Sequence, residues 1–357
     1  MEFFNKDQKS ALEGMELAQW IAFAPVVFQA SRSLKNLGIL KAIQDSRKEG
    51  ITATDLQSQL KLSDYGLRVL CEAGLGIGLI YQQNDRYYLS KAGFFFLNDQ
   101  LTEANTDFIN DVCYKGLFSL EDSIKNGKPE GLKEFGSWKT VYEALAHLPE
   151  DVRESWFKFD HYYSDGSFPH ALPLVFSTHP ARILDIGGNT GKWALECLKH
   201  DEKIHVSIMD LPGQLGFAKA NAEKNGVINR MSFIEANILD PNQTIPAGYD
   251  IVWMSQFLDC FSDDEIVSIL RRCAKALDKN GRIFIMETFW DRQQFKTSAF
   301  CLQMTSLYFT SIANGNSQMY HSDVFTRLIE KAGLQVEELI DNIGISHSIV
   351  KCKLPNE

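Results

Sequence analysis

The chain has 357 residues, 45% of them hydrophobic and 23% charged, with a formal net charge of −10. That balance supplies cores for two or three domains and excludes disordered and collagen-like chains; the acidic sum also argues against a general binder of phosphate backbones. Seven cysteines (Cys71, Cys113, Cys197, Cys260, Cys273, Cys301, Cys352) form no CxxC, and no His pair has metal-ligand spacing. Reduced intracellular thiols and no metal are therefore expected. The N-terminus MEFFNKDQKS lacks the order of a signal peptide. The uncharged run Leu17 to Ser31 contains Pro25 and stops short of the ~18–20 apolar residues of a span, so a cytoplasmic protein without a membrane segment is expected.

The first ~100 residues read as a helix over Leu12 to Asp45, a polar break at Arg47–Gly50, and a short helix with Thr52 and Asp55 at capping-box spacing. A second helix opened by Ser63 follows, then a hairpin of LIY and RYYL around the turn at 82–85. Helix, helix, helix, hairpin is the order of a winged helix-turn-helix, assigned to residues 1–100. The helix from Ser63 to Ile80 has one cation, Arg68, against Asp64 and Glu72. A groove-reading helix needs Arg, Lys, Asn or Gln at its start, so a DNA-binding regulator is only a distant alternative and no nucleic-acid partner is expected. The apolar runs 20–28 and 63–80 suit burial against a second copy, giving a homodimer.

Residues 101–165 look helical and amphipathic. From Ala181 onward, short apolar runs (RILDI, IHVSIMD, MSFIEANI, YDIVWM, RIFIME, LQVEELI, HSIVKC) alternate with amphipathic stretches. Such alternation predicts an α/β fold, a mostly parallel sheet with helices on both faces.

The sharpest motif is LDIGGNTG at 184–191, between a strand and a helix. It is not the dinucleotide fingerprint, because Ile186 stands at its first glycine position. Asp185 precedes Gly187 and Gly188; an acid there repels a pyrophosphate and suits a cofactor carrying an amino group and a sulfonium. Asp210 ends the next strand, 25 positions on, where a carboxylate accepts hydrogen bonds from ribose hydroxyls. The third strand runs into Asn237-Ile238, an amide for an adenine edge beside an apolar side chain for its face. Together these favour S-adenosyl-L-methionine over a nicotinamide.

LDIGGNTG, MDLPG, SQFLDCFSDDE and GRIFIMET, in this order, resemble the plant-type, caffeate/hydroxyindole class of O-methyltransferases. The resemblance covers nearly the whole chain and implies an N-terminal winged-helix dimerisation domain, then a helical connector and a Rossmann-like methyltransferase domain over 101–357. It implies ribose binding by Asp210-Leu211-Pro212, adenine contacts at Asn237 and Ile238, and a cofactor contact at Ser167. The family's Lys-Trp pair falls on Ser255-Gln256. The family's His base falls on Asp259, its first flanking Glu is retained as Glu287, and its second falls near Met319. Phe159, His161 and Tyr163, in FDHYYSDGS, match the wall of the acceptor pocket.

The expected activity is methyl transfer to a hydroxyl of a small-molecule acceptor, with Asp259 and Glu287 as catalytic residues. The substitution of the His leaves open N- or C-methylation, or another reaction on the same scaffold. Ser262 and Glu265 have capping-box spacing for the helix after Asp259.

Overall fold

The computed structural model describes residues 3–145 and 147–355. They fall into two compact units, Glu2–Asp107 and Phe108–Glu357.

The first unit runs α1 (Ala11–Asn36), α2 (Ile39–Asp45), β1 (Ile51–Thr52), α3 (Ala53–Leu60), α4 (Asp64–Ile77), β2 (Ile80–Gln83), β3 (Arg86–Leu89), α5 (Lys91–Asn98) and α6 (Gln100–Asp107). The single helix expected over 12–45 is broken: Gly38, at φ 78°, takes the left-handed turn that starts α2. Thr52 and Ser63 cap α3 and α4 by accepting from Asp55 and Gly66 backbone N–H groups. The strands form a sheet in the order β1-β3-β2. Leu34, Ile39, Leu40, Leu56, Leu67 and Ile80 fill the core beneath. The expected boundary at residue 100 moves, because α6 belongs with this unit.

α1 leaves Leu12, Met15, Trp20, Ile21, Phe23 and Val26 exposed. Trp20, Phe23 and Val26 line a groove closed on the other side by Ala73, Gly76 and Ile77 of α4. By length and composition α1 passes as a membrane span, which the short uncharged run in the sequence did not suggest.

The second unit holds α7 (Leu120–Asn126), α8 (Val141–Ala144), α9 (Glu150–Ser164), α10 (Phe168–Phe176), β4 (Arg182–Ile186), α11 (Lys192–His200), β5 (His205–Asp210), α12 (Pro212–Lys224) and β6 (Met231–Glu235). Then come β7 (Tyr249–Ser255), α13 (Asp263–Ala276), β8 (Leu277–Glu287), α14 (Lys296–Tyr308), α15 (Ser322–Lys331), β9 (Gln335–Ile343) and β10 (His347–Lys353). The sheet order is β6-β5-β4-β7-β8-β10-β9, parallel up to β8 and antiparallel at β10 and β9.

The apolar runs read as strands because both sheet faces are covered. Ile183, Ile251, Trp253 and Phe284 pack on one face with α10 and α11, whereas Leu184, Val252, Met254 and Ile283 pack on the other with α13 and α15. Neighbouring residues thus divide between two cores, as the strand period of two requires. A third cluster joins Val141, Val152, Tyr308 and Ile312. It sets the helical segment of this unit around the region beyond the carboxyl ends of β4 and β7. The chain order changes direction between β4 and β7, which places a ligand crevice at those ends.

Candidate active site

A cavity of about 360 Å³ opens there, within the range of small-molecule sites. One end is built from the loops after β4, β5 and β6. Gly187 (φ 74°) and Gly191 (φ 78°) turn the chain off β4 into α11. A Cβ on Gly187 would lie 2.2 Å from the Phe257 ring, and one on Gly188 would lie 2.6 Å from Asp185 Oδ2, so neither position accepts a side chain. Asn189 and Gln256 line the same wall with φ of 48° and 45°, a left-handed conformation uncommon outside glycine and concentrated at functional sites.

Asp210 ties two of these loops together. Its Oδ2 accepts from Asn189 N at 2.8 Å and its Oδ1 from Leu211 N at 2.7 Å. Burial raises its pKa while the two N–H groups oppose the rise. Asp185 is 2% exposed and its Oδ2 has no partner; burial first, then Asp210, pushes its carboxyl well above the usual range.

Ser255 Oγ, Gln256 Oε1, Gln214 Oε1, Asn189 Oδ1 and the indole N–H groups of Trp193 and Trp253 are likewise buried without partners. Buried polar atoms are normally hydrogen-bonded. This concentration on one wall fits a ligand that carries hydroxyls, an amino group and a base. Asn237, Ile238 and Leu211 line the same end. Among the described residues Lys192 is the wall's one lysine or arginine, and it pairs with Asp165 at 2.5 Å.

Ser167 is not on this wall. It is fully buried, and its Oγ lies 3.0 Å from His347 Nδ1 and donates to Ile343 O at 3.3 Å, fastening the turn before α10 to β9 and β10.

The other end is walled by Tyr142, Trp156, Asp160, His161, Ser164, Cys260, Phe261, Asn314 and Asn316. Asp259 is 5% exposed and stands behind Cys260, whose Sγ donates to Asp259 Oδ1 at 3.4 Å. Burial lifts Asp259 to about 7, with Asp160 adding to the rise and the Cys260 thiol opposing it. Glu287, at the end of β8, accepts from Phe257 N at 3.0 Å and Leu258 N at 2.8 Å. It clamps the turn carrying Asp259 and contributes no wall surface. Burial, then Asp259, pushes its carboxyl well up. Ser262 and Glu265 form the expected capping box.

Phe159 and Tyr163 do not reach the cavity. The wall positions of α9 run through Asp160 and Ser164, one turn apart, and Phe159 instead stacks on Phe108 at 4.0 Å between ring centroids. Met319 is 6% exposed; its sulfur accepts from Thr288 Oγ1, and Asn314 and Asn316 supply the wall nearby. Asn314 Nδ2 donates to Cys260 O at 2.6 Å from the end of a wide helical turn over Phe309–Ala313. Such turns recur at functional sites. His161 does line the cavity, 3.5 Å from Asp165. Asp160, beside His161 in the same segment, also lines the cavity, as do Tyr142, Trp156 and Lys192, which no sequence motif marks.

Residues 15–87 match a Dimerisation2-like domain and residues 170–335 an O-methyltransferase domain. The chain belongs to the S-adenosylmethionine-dependent O-methyltransferase family. Over 327 residues, 90% of the chain and 87% of the relative, the methyltransferase is 21% identical to L-tyrosine C(3)-methyltransferase of Streptomyces lavendulae. It is 24% identical to 3-amino-4-hydroxybenzoate 4-O-methyltransferase of Streptomyces cremeus, covering 63% of this chain and 59% of that enzyme. Its fold is shared with the S-adenosylmethionine-dependent methyltransferase SibL (TM-score 0.72, 21% identity, 94% of this chain and 98% of that one). It is also shared with NcsB1, an O-methyltransferase solved with S-adenosylmethionine and 2-hydroxy-5-methyl naphthoic acid (TM-score 0.68, 20% identity, 92% and 96%).

Proposed function

We propose that this methyltransferase methylates a small phenolic acceptor, with Asp259 as the proton acceptor and Glu287 as the residue that positions it. The carrying observation is a buried carboxyl at the family's base position, lifted by burial to about 7 and standing directly behind the cavity-lining Cys260. A general base works best when its pKa lies near the operating pH.

The cofactor supplies a methyl group on a positively charged sulfur. The residues fit it: Asp210 for the ribose hydroxyls, Asn237 and Ile238 for the adenine, and Asp185 for the amino group. Lys192 takes the carboxylate, replacing the lysine that the family's fourth strand carries where this chain has Ser255. Ser255 and Gln256 offer polar atoms without partners to the same ligand.

Asp259 then takes the phenolic proton, and the cavity's main contribution is alignment of the acceptor with the methyl carbon. A phenolate is nucleophilic at oxygen and at its ortho carbon, so the same deprotonation serves O- and C-methylation. The relative that acts on carbon C(3) of tyrosine, matching along 90% of this chain, supports the second outcome as a real alternative. Calorimetric titration with S-adenosylhomocysteine, followed by mass spectrometry of a phenol panel, tests the reading. Binding without transfer to oxygen or carbon would refute it.

The first unit serves as a winged-helix dimerisation domain, with Trp20, Phe23 and Val26 of α1 facing a second copy. The match over residues 15–87 and the exposed apolar side chains support this. Light scattering should give twice the chain mass at micromolar concentration; a Trp20→Asp, Phe23→Asp chain should shift to monomer. The seven unpaired cysteines support a cytoplasmic enzyme.

A further inference from the structure

We propose that the methyl acceptor carries a protonated amine, held at Asp160. This rests on the methyl-transfer reading and names the substrate class.

The carboxylates around the cavity have protein partners with one exception at the acceptor end. Asp165 is paired with Lys192, Glu265 accepts from Ser262, Glu143 accepts from Lys139 N, and Asp210 accepts from two backbone N–H groups. Asp160 lines the cavity and, among the described residues, has no direct hydrogen bond to its carboxylate and no ion pair; burial raises its pKa, with Asp165 adding to the rise and the charges of His161 and Lys192 opposing it from a distance. Trp156 lies one turn earlier on the same helix and also lines the cavity. The indole N–H is turned away, donating to Tyr308 O–H at 2.7 Å, so its ring is the surface left to a ligand. The Tyr142 hydroxyl is buried and without a partner. A carboxylate without a direct partner, beside an indole ring and a buried phenolic oxygen, has the composition of an ammonium site.

With a neutral acceptor the Asp160 charge continues to oppose ionisation of Asp259 behind Cys260. An ammonium at Asp160 supplies a direct partner. It also cancels the influence that helps lift Asp259, so the arriving acceptor favours the deprotonated base. Binding should therefore release a proton.

The test titrates 4-(2-aminoethyl)phenol and its neutral counterpart 4-(2-hydroxyethyl)phenol into protein saturated with S-adenosylhomocysteine. The amine should bind at least about tenfold tighter, with an enthalpy that varies with the buffer's ionisation heat as proton release requires. Asp160→Asn should erase the preference and leave S-adenosylhomocysteine affinity unchanged; Asp160→Glu should keep it. Equal affinities, binding of neither phenol, or a preference surviving Asp160→Asn would overturn the proposal. Failure of S-adenosylhomocysteine itself to bind would sink methyl transfer and this proposal together. Its binding without amine preference sinks only the latter.

Discussion

The two ends of the cavity are written in different ways. The cofactor end is made of the segments that leave three consecutive strands, short turns into α11 and α12 and the start of the stretch joining β6 to β7, so its side chains sit at fixed offsets from glycines and strand ends. The acceptor end collects Tyr142, Trp156, Asp160, Cys260 and Asn314 from separate helices and turns. The first follows from local backbone geometry; the second exists only after the helical cluster around Val141, Val152 and Tyr308 has packed. Chemistry that must be the same for every acceptor is kept in the first, and whatever distinguishes acceptors falls to the second.

The sharpest way to break this division is at Asp259, whose sequence position belongs to a motif but whose properties come from the acceptor end. Asp259→Asn should lower turnover by about 10²–10⁴-fold, the usual range for loss of a general base, with cofactor affinity unchanged. In the parent enzyme kcat/KM should rise with pH through about 7, because the carboxyl must lose its proton to act. Stability should move the opposite way. The folded pKa lies above the unfolded value, so the protonated native form is favoured, and its advantage, full below about pH 4, is lost as pH rises through 7. The amide removes that dependence, so melting temperature at pH 8 should be higher in Asp259→Asn than in the parent. A variant that is both slower and more stable at high pH separates a working base from a helix-entry Asp; normal turnover would assign Asp259 to the helix entry.

A smaller effect is expected at Asp210, in the cofactor end. On the proposed ribose role, removing this charged acceptor forfeits charge-assisted bonds of about 1.5–3 kcal/mol each, at least tenfold in affinity for S-adenosylhomocysteine. Asp210 also bonds Asn189 N and Leu211 N, so Asp210→Ala loosens both loops and Asp210→Asn is the milder probe. Calorimetry showing parental affinity in both would remove Asp210 from the ribose site.

How much of this was legible follows the same division. The place of LDIGGNTG, Asp210 and Asn237-Ile238 on the cavity wall is legible because a glycine turn, a strand end and a loop are short-range features. The capping box at Ser262 and Glu265 was found for the same reason. Ser167, Phe159, Tyr163 and Met319 were brought forward by resemblance alone, and none lines the cavity: each sits one helical face or one packing layer away. Glu287 kept its position at a strand end, yet it faces the backbone of the Asp259 turn, a partnership set by the β7–β8 register rather than by any spacing. The break of the first helix at Gly38 was legible in principle, since a glycine beside Leu37 and Asn36 is an ordinary helix stop.

The smallest and most discriminating change is at Lys192, which lies at the first position of α11. The cofactor's carboxylate needs a cation, and the motif position where the family places one is Ser255 here. Among the described residues Lys192 is the only lysine or arginine on the cavity wall, and an ammonium held by Asp165 still has donors to offer. A charge-assisted bond to a ligand carboxylate at a partly exposed lysine is worth about 1 kcal/mol, roughly five- to tenfold in affinity. Lys192→Met should therefore weaken S-adenosylhomocysteine by that factor and leave 5′-methylthioadenosine, which lacks the amino-acid tail, unaffected. Lys192→Arg should restore most of the loss. The comparison of two ligands removes general damage to the loop from the result, because both carry the ribose and adenine proposed for Asp210 and Asn237. Equal weakening of both would mean that Lys192 supports the loop through Asp165 and that the carboxylate is met elsewhere on the wall.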